Sequence, residues 1–338
     1  MTPLILGLAG PALNDDERAF FRDVAPAGFI LFKRNVADRV QMRALTDELR
    51  AIAGRDDVPI LIDQEGGRVA RMQPPEWPAF PAGAAFDALY DVAPMSAIEA
   101  MRVNAQALGV MLREVGVNVD CLPLLDVRQP GAHDIIGDRA LGREPLRVAA
   151  LGRATLDGLR AGGAVGVVKH VPGHGRSMAD SHVELPVVDA SAEDLESDLA
   201  PFQTLSWAPM AMTAHVVYTA WDKDNCGSLS ATVIGDIVRG RIGFDGLLMS
   251  DDLGMHALTG SFTDRAAGVI AAGCDIGLHC SGDMAEMQAC AAGVGEIAPR
   301  ARARLDAAMA TITGAADGTA FETLVAKRDA LLALSITQ

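Results

Sequence analysis

Short apolar runs recur along this chain, and most are followed by a longer stretch in which apolar residues return every three or four positions. The runs at Leu4–Leu8, Gly28–Phe32, Pro59–Ile62, Asn118–Leu122, Val165–Val168, Ala211–Ala214, Leu247–Ser250 and Cys274–Leu278 have strand length and are rich in Val, Ile and Leu, the pattern of strands buried on both faces. Between them, Val40–Ala53, Ala97–Val115, Leu146–Ala161, Ala231–Arg239 and Thr263–Ala272 carry the period of amphipathic helices. Eight strands with helices between them predict an α/β fold of the (β/α)8 TIM-barrel class, although an open doubly wound sheet would bury similar runs. No Ser/Pro/Gly-rich linker, low-complexity tract or short repeat interrupts the 338 residues. One barrel domain spanning residues 1–338 is therefore expected, with one or two closing helices after Ile297.

The polar motifs choose between barrel and open sheet. DQEGGRVAR (Asp63–Arg71), IGDR (Ile136–Arg139), KHVPGHGRSMADSH (Lys169–His182) and SDDLGM (Ser250–Met255) follow the third, fourth, fifth and seventh predicted strands. A closed barrel brings four such loops around one pocket at the C-terminal ends of its strands. In the third motif Pro172, Gly173 and Gly175 exclude a helix. Asp180 and His182 lie two residues apart, so in an extended segment both project to one side. The carboxylate there would hold one ring nitrogen and ready the other for proton transfer, an acid/base pair. His170, His174 and His182 could instead ligate zinc or merely brace the loop, but the chain has neither an HExxH helix nor a close cysteine pair. We expect no metal and no cofactor.

Composition narrows the partners. A net charge of −15 offers no field for nucleic acid or an anionic membrane, while leaving room for a local basic pocket that grips a small anionic substrate. Five cysteines, odd in number and irregularly spaced, point to a reducing compartment. MTPLILGLAG at the start lacks a positive n-region and reads as a first strand, and no other stretch is long and apolar enough to span a membrane. A cytoplasmic enzyme is the expectation.

The four motifs, in this order over roughly 190 residues, resemble those of glycoside hydrolase family 3, in the branch that removes β-linked N-acetylglucosamine and carries a KHFPGHG…DSH signature. The resemblance implies a barrel and an exo-acting, retaining β-N-acetylglucosaminidase of cytoplasmic peptidoglycan recycling, cutting GlcNAc from GlcNAc-1,6-anhydro-MurNAc and its peptides. It implies Asp251 as nucleophile, His182 as proton donor steadied by Asp180, and Asp63, Arg71, Arg139, Lys169 and His170 as ligands of the terminal sugar. Plainer readings stand beside these: Asp251 or Asp252 as a helix cap, Glu65 and Arg68 as an ion pair, Arg139 and Lys169 as surface charges. Val171, Ala140–Leu141 and His256 depart from the usual family pattern, which touches fine specificity more than reaction class. A β-glucosidase or phosphorylase on the same scaffold, or a sugar-binding homologue without catalysis, are the alternative functions.

Overall fold

In the computed structural model, which describes residues 1–131, 133–179, 181 and 184–335, eight parallel strands close into a barrel in chain order. They are β1 (Thr2–Leu6), β2 (Pro26–Leu31), β3 (Ile60–Ile62), β4 (Val119–Asp120), β5 (Val165–Val171), β6 (Met210–Thr213), β7 (Leu247–Asp252) and β8 (Ile276–His279). Closure runs through β1, which pairs in parallel with both β2 and β8. All eight expected strands exist, with shifted ends. β4 is shorter than expected because Leu122 N–H turns back onto the Asp120 carbonyl and Pro123 supplies no N–H. β5 is longer, running on through Lys169 and His170.

Helices wrap the outside: α1 (Asp15–Val24), α2 (Arg39–Ala53), α3 (Gly83–Val92), α4 (Pro94–Glu114), α5 (Pro145–Gly162), α6 (Glu196–Thr204), α7 (Phe262–Ala272) and α8 (Met284–Ala292). Local chemistry sets their starts. Asn14 and Glu17 cap α1 reciprocally, Asp38 accepts from Gln41 N–H ahead of α2, and Ser261 and Asp264 form the same reciprocal box ahead of α7. The helical pattern near Ala231–Arg239 is wound more widely, as a π-helix over Val233–Arg241, with Ile242 N–H reaching the Ile237 carbonyl five residues back.

Within the barrel the inward side chains form a continuous apolar column from Ile5, Leu61, Val119, Val165, Val167, Met210, Met212, Leu247, Met249, Ile276 and Leu278. A helix closes its lower end. α9 (Pro299–Ala310) sets Leu305, Ala308 and Met309 into the same column. Arg304 fastens it from the side, pairing with Asp275 at 2.8 Å and with Asp245, residues that lie just before β8 and β7. α10 (Phe321–Leu332) returns to the outer layer, where Phe321 meets Phe80 edge to face and Arg328 Nη1 donates to Asn104 Oδ1 at 3.3 Å. The tail after Ile297 thus forms two helices, one of them the plug of the barrel.

Because Leu305 is fully buried at the end of the barrel opposite the catalytic loops, its truncation separates stability from function. Leu305→Ala should lower the unfolding free energy by about 2–5 kcal/mol in urea titrations, while kcat/KM at a temperature where the variant stays folded is unchanged.

Candidate active site

Strand periodicity carries the site residues to the barrel axis. Side chains alternate along a strand, so the inward set Leu61, Val165–Val167 and Leu247–Met249 continues two residues later as Asp63, Lys169 and Asp251. Phe32 after Ile30 and Cys280 after Leu278 obey the same parity. All five line one cavity of about 240 Å³ above the apolar column, together with Glu65, Arg68, Arg71, Arg139, His170, His174, Met212 and Ser181. His170 breaks the alternation. The pairing of β5 with β6 slips between Val168 and Val171, and consecutive residues there both reach the cavity.

A buried ion cluster forms one wall. The Lys169 ammonium, 2% exposed, donates to Asp63 Oδ1 at 3.1 Å and pairs with Glu65 Oε1 at 2.7 Å. Arg71 Nη2 donates to the second Asp63 oxygen at 2.9 Å, and Arg139 grips both Glu65 oxygens at 2.8 Å. Burial pushes both carboxyls upward, but Lys169 with Arg71 at Asp63, and Lys169 with Arg139 at Glu65, more than reverse it and hold both below the ordinary range. Burial lowers the Lys169 pKa, but the Glu65 and Asp63 carboxylates outweigh it and raise it above its ordinary value. Three cations face two carboxylates, so the wall keeps a surplus positive charge beside a carboxylate at Asp251. Arg71 also lies over the Phe32 ring at 5.1 Å, which fixes it along the rim.

The opposite wall is organised by Asp126, which is fully buried. Its Oδ1 accepts the backbone N–H groups of His170 at 3.2 Å and His174 at 2.7 Å, and its Oδ2 meets His170 Nδ1 at 2.8 Å. Against burial, His170 foremost and then His174 lower the Asp126 carboxyl to about 2. An ionised carboxylate only accepts, so Nδ1 carries a proton that it donates to Asp126. Burial, then the neighbouring His170, lowers His174 to about 4, which keeps it neutral. Tyr218, itself buried, donates to the Gly173 carbonyl at 2.9 Å. Gly175 passes so close to Val127 that a Cβ there would collide with the Val127 carbonyl.

Asp251 is 6% exposed, and its Oδ1 accepts from the Asp252 N–H at 2.8 Å. Asp252 in turn accepts from Gly254 N–H at 2.9 Å and Cys280 N–H at 3.0 Å, which ties β7 to β8. Neither residue caps a helix, because α7 starts at Phe262 and is capped by Ser261. Of the expected site residues, the structure brings Asp63, Arg71, Arg139, Lys169, His170 and Asp251 to the one cavity. Asp180 and His182 lie outside the described residues. The pairing of Glu65 with Arg68 is not made: Arg68 bonds Asp138 and the carbonyls of Asp134 and Ile135 instead. Nor are Arg139 and Lys169 surface charges, although three of the five Arg139 N–H groups are committed to Glu65 and the Ile135 carbonyl.

Sequence reasoning missed Asp126 altogether and misassigned Glu65. Asp126 did carry a signal, as a carboxylate inside the apolar run CLPLLDV, where burial demands a partner. Glu65 had none, since its partners are 74 and 104 positions away along the chain.

Comparison with known proteins places the chain in a family. Residues 5–314 match the model of the glycosyl hydrolase family 3 N terminal domain. A beta-hexosaminidase of Aromatoleum aromaticum is 36% identical over 310 residues, 90% of this chain and 86% of that protein. One from Xylella fastidiosa is 39% identical over 289 residues, 82% of this chain and 83% of its own. The crystal structure of NagZ from Neisseria gonorrhoeae in complex with N-trifluoroacetyl-D-glucosamine superposes with a TM-score of 0.86 at 30% identity, covering 98% of both chains.

Asp126→Asn tests the wall it organises. The amide oxygen keeps the two backbone bonds, but its NH2 then faces His170 Nδ1–H, forcing the other tautomer or an unsatisfied donor. We expect kcat/KM to fall by roughly 10- to 100-fold, corresponding to about 1–3 kcal/mol. A carboxyl lowered to about 2 contributes stability that is full above its unfolded value near 4 and is lost as pH falls towards 2. Urea unfolding of the Asn variant should accordingly depend less on pH between about 4 and 2 than that of the parent.

Proposed function

The chain belongs to glycosyl hydrolase family 3 and is a β-N-acetylglucosaminidase, and from that footing we propose that it releases single non-reducing GlcNAc units from peptidoglycan fragments, with retention, through a covalent sugar ester on Asp251. The observation that carries this is the convergence of Asp251 with the Asp63–Lys169–Arg71 cluster in one closed-ended cavity. The cavity floor is sealed by Met212 and Leu278 of the barrel column. A sugar chain enters by its end, which accounts for exo action.

In this reading the sugar hydroxyls lie along the charged wall. Asp63, held ionised, accepts from them, while Lys169, Arg71, Arg139 and the His170 ring complete the polar set. An Asp251 oxygen attacks the anomeric carbon as the bond to the departing oxygen breaks, and that oxygen takes a proton from His182. Water then attacks the same carbon, His182 takes the proton back, and Asp251 is released. An imidazole suits the task because its ordinary pKa of about 6.5 lets it give and regain a proton near neutrality, with Asp180 steadying the ring. The preferred natural substrate is GlcNAc-1,6-anhydro-MurNAc and its peptides, and the setting is the cytoplasm, with no nucleic acid or membrane partner. The five cysteines, all free and buried, support a reducing compartment. Among the described residues no helix is long and apolar enough to cross a membrane.

Two measurements check the chemistry. Incubation with a slow 5-fluoro N-acetylglucosaminyl fluoride should label Asp251, with proton NMR of substrate turnover showing retention; a label on Asp252, inversion, or turnover through the substrate's own acetamide with no adduct refutes the intermediate. His182→Ala should slow a disaccharide substrate more than a 4-nitrophenyl glycoside by about 10²–10⁴, because 4-nitrophenolate leaves with little protonation. Equal loss on both would place the proton donor elsewhere.

A further inference from the structure

Directly behind Asp251 lies a polar chain that the reaction does not touch. β6 ends at Thr213, and two residues later His215 is fully buried. Its Nε2 lies 3.0 Å from the backbone carbonyl of Asp252, and its Nδ1 lies 2.8 Å from Ser228 Oγ. Ser228 is in turn 2.5 Å from Thr213 Oγ1, and all three side chains are out of contact with solvent. The carbonyl can only accept, so Nε2 carries a proton. Burial lowers the His215 pKa and favours the neutral ring, whose Nδ1 then accepts from the Ser228 hydroxyl. Thr213 Oγ1 and, at 3.2 Å, the Ala214 carbonyl complete the surroundings of the Ser228 oxygen.

The backbone on both sides of the Asp252 Cα is therefore held. The peptide before it, whose N–H donates to Asp251 Oδ1 at 2.8 Å, has its carbonyl bonded by Ser250 Oγ at 2.7 Å, and the peptide after it is held by His215 on the Asp252 carbonyl and by Leu253 N–H on the Leu278 carbonyl, while Gly254 and Cys280 N–H groups fix the Asp252 carboxylate. The two peptides meet at the Asp252 Cα, so a shift of the second changes the Asp252 dihedrals and turns the N–H of the first relative to Asp251. We propose that His215, clamped by Ser228 and Thr213, is a positioning residue that aims the Asp251 carboxylate through the Asp252 backbone. This rests on the reading of Asp251 as nucleophile. A backbone N–H bonded to one carboxylate oxygen helps set the orientation of the whole group, and small misplacement of a reacting atom is costly.

A positioning role has a signature that a purely structural one lacks. Attack by Asp251 is common to every substrate, so loss of aim slows good and poor leaving groups alike and leaves ground-state sugar binding in place, unlike loss of a proton donor. His215→Leu should slow both labelling of Asp251 by the 5-fluoro reagent and kcat/KM on 4-nitrophenyl and disaccharide substrates by about 10- to 100-fold, with the competitive inhibition constant of free GlcNAc changed by less than about twofold. His215→Gln, whose amide N–H reaches towards the same carbonyl, should regain much of the labelling rate. A folded Leu variant that labels Asp251 at the parent rate, a loss appearing in GlcNAc binding, or a Gln variant no better than Leu each overturns the proposal. Should the Leu variant not fold, Ser228→Ala decides: labelling slowed by about 3- to 10-fold supports the clamp, and a rate within about twofold of the parent overturns it. A label away from Asp251 in the parent enzyme removes the premise and the proposal with it, whereas equal labelling of Asp251 in parent and variant overturns only the role of His215.

Discussion

The buried ammonium of Lys169 is the interaction on which the rest of the site depends. A cation 2% exposed at the mouth of a barrel is tolerable only if carboxylates surround it, and Asp63 and Glu65 meet it from the β3 end, across β4. Those carboxylates then need cations of their own, which draws Arg71 to Asp63 and Arg139 to Glu65. Removing a carboxylate would leave the buried Lys169 short of a partner, a loss of about 3–5 kcal/mol, so the motifs after β3, β4 and β5 are bound to one another by electrostatics before any substrate arrives. Such a network is weak evidence for stability, since an apolar replacement of similar shape costs little. Its value lies in oriented, desolvated charge facing the place where a sugar's hydroxyls would sit.

The same low dielectric sorts the remaining titratable groups. Burial lowers His174, His215 and His279, the last even with Glu286 at 3.3 Å. Asp126 is held low because two histidines face it, whereas Asp120, with one oxygen accepting from Gln64 N–H, is driven upward by burial more than its surroundings can offset. Two fully buried carboxyl groups thus shift in opposite directions through their neighbours. Asp126 aligns the loop after β5; Asp120 supports the turn after Asp63.

How much of this was legible in sequence follows from the range of the interactions. Strands buried on both faces announce themselves as apolar runs, and an inward parity of two puts Asp63, Lys169 and Asp251 on the axis without knowledge of tertiary structure. The run ending at Val168 was expected to stop there because Lys169 and His170 are polar. The strand continues since their charges are satisfied by Glu65, Asp63 and Asp126, at least 44 positions distant. The same non-local pairing hid Asp126, diverted Arg68 to Asp138, and concealed His215, whose partners Ser228 and Asp252 come from two other segments. Local pattern reports what a residue's neighbours in sequence are; it does not report which distant carboxylate closes a hydrogen bond.

Placement of the reacting groups follows from what each must do. A nucleophile has to meet one carbon within a few tenths of an ångström, and Asp251 extends directly from β7, braced by the Asp252 N–H and by the ties between β7 and β8. A proton donor has to serve a departing sugar oxygen in one step and a water in the next, and the DSH segment proposed for it lies, by its position in the chain, between β5 and β6. Asp126 and Tyr218 fasten the start of that connection, Arg176 ties it to Asp198 at 2.6 Å, and the Ser181 carbonyl accepts from Ala257 N–H at 3.3 Å. Support therefore reaches both the strand-borne carboxylate and the described residues next to the proposed donor. A two-step displacement asks this of a barrel mouth: one carbon held still, and a proton delivered to a fixed place beside it.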